Sequence, residues 1–227
     1  MSTAFSESSG SSGFSVSSES SGSSESSGSS GSSGFPDPRP VYARATEQAV
    51  ALIKTVRQEQ LTAPTPCSEF DVRALLSHVV GVTRRFAVVG EGGDGLALEP
   101  VAGDVADDAW AAAYDEARTR AIRAWSADGR MRSPVRVPWG EVPGWQALSG
   151  YVMETVTHTW DLSEALGHPL ELDDELAGFA LGVARRVLPE AERDASRPFA
   201  AAVEPPAGGG VYGELAAWLG RTPLAGR

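Results

Sequence analysis

Between Leu148 and Leu166, the residues Leu148, Tyr151, Val152, Thr155, Thr159, Leu162 and Leu166 return at steps of three and four, the repeat of one face of an α-helix. A helical face of this kind must be covered, so the chain is committed to packing helix on helix. Glu154 and His158 are four apart and stand one above the other on the shoulder of the stripe, and Asp161 continues that shoulder one turn later. A carboxylate and an imidazole so placed can hold a divalent metal from two sides if a third ligand arrives from elsewhere. The same spacing also suits a pair that only hydrogen-bonds across one turn.

The rest of the sequence supplies the partners. Tyr42, Ala45, Ala49, Leu52, Ile53 and Val56 predict a first amphipathic helix from Val41 to about Leu61, followed by a proline-punctuated loop, TAPTPCSEF, at Thr62 to Phe70. Asp71 is a suitable N-cap for a second helix with Val72, Leu75, Leu76, Val79, Val80 and Phe86 on its stripe. A Gly-rich acidic loop spans Gly90 to Gly103; its glycines neither follow a strand nor open a phosphate-cradling turn. A third helix is expected from Asp104 to about Asp128, with Asp107 and Asp108 favouring its first turn. Arg132 to Trp145 alternates Val135, Val137 and Trp139 among three prolines, which reads as a short extended excursion or hairpin. Trp139-Gly140 could line a pocket mouth, or both tryptophans of this segment could cap the core. His168-Pro169 closes the central helix, and His168 is expected at the surface, not as a ligand. Further helices follow at Leu172 to Val187 and Val211 to Leu219. The expected fold is all-α: a four-helix bundle with a short hairpin excursion and extra C-terminal helices.

Residues 1–40 stand apart. Met1 to Gly34 is a Ser/Gly/Glu tract in which SESSGSSG recurs, with too little apolar surface to offset the entropy of ordering it, and Phe35 to Pro40 is a proline-rich linker. Residues 41–227 are expected to form one helical domain. The net charge of -11 argues against binding nucleic acid through its backbone. No apolar run approaches the roughly 20 residues of a membrane span, and no secretory signal is evident, which makes the cytoplasm the expected location. The single cysteine, Cys67, excludes an internal disulfide and a multi-thiolate zinc site, and is read as structural.

His78 falls at the edge of the second helix's stripe, close in angle to Val82 and Val89. A histidine there often serves as an ordinary core residue. If the two shoulders face each other, however, His78, Glu154 and His158 converge, and bundles commonly build metal sites in this way.

Three segments in order carry a resemblance: TPCSEFDVRALLSHVVG at Thr65 to Gly81, VPWGEVPG at Val137 to Gly144, and HTWDLSEALG from His158. Together they resemble the metal-binding domain of mycothiol-dependent maleylpyruvate isomerase, in the DinB-like superfamily, and more nearly an actinobacterial branch of mostly uncharacterised metal-binding proteins. The similarity runs from about Val41 to Leu224, LAAWLGRTP at Leu215 to Pro223 included. It implies a DinB-like four-helix bundle with a divalent metal, usually zinc, on two histidines and one glutamate; by position these are His78, Glu154 and His158. Three protein ligands leave an open position, where a thiol cofactor such as mycothiol could ionise at neutral pH. In the isomerase, the mycothiol thiolate adds to a conjugated double bond, allows rotation and leaves; related proteins could use it for conjugation.

The implied partners are therefore a small-molecule thiol and a small electrophilic or carboxylate substrate, and the implied class a transferase or isomerase. The alternative is a non-catalytic, metal-stabilised helical module for binding or stress response. Asp161 could orient a ligand imidazole, or could only cap or pair at the surface. Arg85, seven after His78 on the same face, could receive a substrate carboxylate, or could belong with Arg84 to a solvated face. The isomerase also carries an additional C-terminal domain for which this chain leaves no room, which puts the isomerase reaction itself in question. Oligomeric state, monomer or dimer, is left open.

Overall fold

The computed structural model describes residues 37–189 and 200–224. The expected Ser/Gly-rich tail and linker therefore lie outside the described residues, except for positions 37–40. Among the described residues, seven α-helices and one hairpin follow in order: α1 (Arg39–Ile53), α2 (Val72–Glu91), α3 (Trp110–Ala124), α4 (Asp128–Arg132), β1 (Pro134–Val137), β2 (Gly140–Pro143), α5 (Gly144–Leu166), α6 (Asp174–Val187) and α7 (Gly210–Trp218). The four long helices α1, α2, α3 and α5 form the bundle, with α2 against α3 and α1 against α5. The strands pair antiparallel, Pro134 opposite Pro143 and Val137 opposite Gly140. Among the described residues, no helix is long and apolar enough to cross a membrane.

Helix ends follow local chemistry. Pro40 sits in the first turn of α1, where its missing N–H leaves nothing unsatisfied. This helix stops at Ile53 rather than near Leu61: Thr55 and Val56 already close tighter turns onto Leu52 and Ile53, and the chain bends so that Leu61 is buried. Asp71 is the N-cap of α2, accepting from the Ala74 N–H. α3 begins only at Trp110, and Asp107, instead of serving its first turn, accepts two hydrogen bonds from Arg73.

α5 departs most from the one-stripe reading. It starts at Gly144, four residues ahead of Leu148, and is buried on nearly every face because α6 and α7 cover the side turned away from the bundle. Glu154 and Thr155 are the places in its middle that remain partly open. The loop after α2 crosses back over that helix at Gly81, where an added Cβ would lie 2.5 Å from the Val101 backbone nitrogen.

Candidate metal centre

α2 and α5 run antiparallel along a shared seam. Phe86 stacks on Tyr151 with 3.8 Å between ring centroids. Two turns back along α2 and one turn on along α5, His78 meets Glu154: Nε2 lies 3.0 Å from Oε1. His158, one turn further along α5, brings its own Nε2 to 3.6 Å from the same oxygen. The two imidazoles stand nearly perpendicular, 5.1 Å apart. One donor atom from each of the three side chains lies within 4.8 Å of the others.

The surroundings fix these rings. Nδ1 of His158 lies 2.9 Å from Oδ2 of Asp161. A carboxylate only accepts, so Nδ1 donates to it and the ring turns Nε2 towards Glu154. Asp161 is therefore not a surface residue; it has no solvent exposure at all. Phe70 covers the other side, its ring 5.0 Å from that of His78 and 6.4 Å from that of His158. The loop delivering Phe70 is pinned by Thr65, whose hydroxyl donates to the carbonyls of Cys67 and Phe70, and by the Val72 N–H on Ala63.

Charge is shared within the cluster. Burial alone would raise the Glu154 carboxyl, but hydrogen bonds from His158 and His78 outweigh it and hold the group well below the usual carboxylate range. Burial would likewise lower His158, yet Asp161 and Glu154 on its two sides raise it to about 9. Two imidazole nitrogens and one carboxylate are a donor set that suits zinc with a position left open, and the residues present fit such an ion.

The cluster meets solvent along one edge, where the Glu154 and His78 side chains are 26% and 17% exposed. Behind it lies a cavity of about 20 Å³, lined in part by Tyr42, Tyr114, Tyr151 and Thr155, with room for one water molecule.

A second cluster adjoins the first. Cys67, His158 and Asp161 also bring potential ligand atoms together, all of them buried. There, however, a cation is already in place: Arg221 donates through Nε to Asp161 at 3.2 Å and through Nη2 to the Cys67 sulfur at 3.5 Å. Burial pushes the Cys67 thiol up, against the pull of Arg221, which disfavours the thiolate a metal would need.

The remaining expected residues lie elsewhere. Arg85 is half-buried on α2 and donates through Nε to the Leu98 carbonyl. It stands close enough to Tyr151 to act electrostatically on its hydroxyl. His168 stays outside the centre, paired with Glu164 at 3.0 Å. Trp139 does not cap the core: it is 51% exposed and packs over Tyr151 and Gly150. Phe70 and Arg221 were not singled out from the sequence. Phe70 gives a faint signal as the aromatic residue just before the Asp71 cap; Arg221 gives one only as part of the LAAWLGRTP ending that shares in the resemblance.

Residues 42–163 match the family model for the mycothiol maleylpyruvate isomerase N-terminal domain. The chain belongs to this family. Relatives of like sequence include two uncharacterised Mycobacterium tuberculosis proteins, one from strain CDC 1551 and one from strain H37Rv; each is 36% identical over 186 residues, spanning 82% of this chain and 98% of the relative. Among solved structures, a crystal structure of a mutant of the mycothiol-dependent maleylpyruvate isomerase superposes with a TM-score of 0.50 at 11% identity, covering 66% of this chain and 68% of that one. This likeness concerns the fold, a DinB-like helical bundle. His78, Glu154, His158 and Asp161 all fall within the residues the family model matches, and Arg221 falls outside them.

Proposed function

We propose that His78, Glu154 and His158 hold a divalent cation, zinc foremost, and that the protein is a mycothiol-dependent transferase or isomerase acting on a small electrophilic or carboxylate-bearing substrate. The observation that carries this reading is the convergence of two imidazole Nε2 atoms, from separate helices, on one carboxylate oxygen. Family membership supports the thiol. When bound, such an ion supplies an open position that favours the ionised form of a thiol at neutral pH.

The chain's own residues do the rest. Asp161 accepts from Nδ1 and keeps the His158 ring aimed. Phe70 shields the two ring faces from water. The inner cavity is too small for a reactant, so thiol and substrate enter along the edge where Glu154 and His78 are exposed. Gly150, one turn before Glu154, lets the exposed Trp139 indole approach α5 and wall this edge. Arg85, two turns along α2 from His78 and steadied on the Leu98 carbonyl, offers its remaining N–H groups to a substrate carboxylate.

The burial of His158 suits a second reading, a metal that only braces the bundle. Calorimetric titration of mycothiol into zinc-loaded and chelator-stripped protein separates the two. Binding to the loaded form alone is expected; absence of binding to the loaded form would leave only the bracing role.

A further inference from the structure

Beyond α7 the chain turns at Gly220, where φ is +73° and an added Cβ would come within 2.6 Å of Ala200 Cβ. The next residue, Arg221, is fastened by its N–H to the Ala216 carbonyl and points back into the molecule. Its side chain is 11% exposed and lies against Asp161, with Nε 3.2 and 3.3 Å from the two carboxylate oxygens. Through Nη2 the same guanidinium reaches Cys67. The Oδ2 atom of Asp161 also receives the Nδ1–H of His158. A carboxylate removed from water is costly unless a cation is paired with it in good geometry, and Arg221 meets that need.

We propose that Arg221 is a positioning residue of the metal centre. By pairing with Asp161 it holds that carboxylate as an acceptor aimed at Nδ1, and so presents Nε2 of His158 to the cation. The inference rests on the metal reading above. It makes the turn after α7, outside the residues matched by the family model, a part of the site. The two contacts use the planar fork of arginine; lysine, a single ammonium on a flexible stem, restores the charge but cannot bridge Asp161 and Cys67 in the same way.

The test compares full-length wild type with Arg221→Ala, Arg221→Lys and Leu219→Ala. Zinc affinity is read by competition with a chromophoric chelator, and ligand geometry by the visible absorption of the cobalt-loaded protein. Leu219 is fully buried at the same helix end, so its truncation loosens the segment without touching the guanidinium. Arg221→Ala is expected to lower zinc affinity roughly 10–100-fold and to alter the cobalt spectrum, the usual range for losing a residue behind a ligand. Arg221→Lys is expected to fall between that variant and wild type, and carries the comparison if Arg221→Ala fails to fold. Leu219→Ala should lower the melting temperature while keeping both metal readouts. Wild-type affinity and spectrum in Arg221→Ala (or, if it fails to fold, in Arg221→Lys), or an equal loss in Leu219→Ala, would overturn the proposal. A wild type that takes up neither metal would overturn the metal reading, and this inference with it.

Discussion

Glu154 stands between two imidazoles, and Asp161 stands behind one of them. This separates residues that would touch a metal from one that would act through a ligand. Asp161→Asn leaves a group that can still accept from Nδ1 but carries no charge; zinc affinity should fall roughly 10–100-fold in chelator competition, and an unchanged affinity would remove Asp161 from the site. Cys67→Ser should leave metal stoichiometry unchanged, because Arg221 already fills the cation's place beside that sulfur. Loss of metal in this variant would move the ion to the second cluster. Glu154 and His158 could be recognised from the sequence because four-residue spacing on a helix fixes their relation. Asp161 was visible too, but whether it faced the core or solvent was not. Its burial goes with Arg221 and the loop that carries Cys67, neither of which its own helix encodes.

At the scale of elements, the stripes were readable and the ends were not. α1 and α3 are shorter than their apolar patterns, since Leu61 and Trp125 reach the core through turns that continue the pattern without continuing the helix. α4 has five residues, too few to show a period. The all-round burial of α5 comes from tertiary packing, which a single amphipathic stripe cannot announce. Two close approaches lend themselves to test. Gly81→Ala forces a Cβ against the Pro100–Val101 backbone and should cost about 1–3 kcal/mol, seen as a lower melting temperature. Trp139→Ala removes a largely exposed side chain. It should leave the melting temperature nearly unchanged while weakening thiol binding by the metal-loaded protein; unaltered thiol binding would take Trp139 out of the entrance.

For the whole molecule, residues 42–163 match the family model, and the bundle brings α2 and α5 together at one seam. In that seam His78 is already hydrogen-bonded to Glu154 and His158 to Asp161, and two clusters of buried apolar side chains pack the bundle. Chelation should therefore leave far-UV circular dichroism intact while lowering the melting temperature, since a ligand at about 100 times its dissociation constant contributes roughly 2.7 kcal/mol to the folded state. Collapse of the helical signal on chelation would mean instead that the metal organises the bundle. The central claim is tested most directly by elemental analysis of the purified full chain beside His78→Ala and Glu154→Ala. About one divalent ion per chain in the wild type, lost in both variants, is the expected result for a site whose ligands come from two helices. A wild type without metal, even after reconstitution, would contradict it.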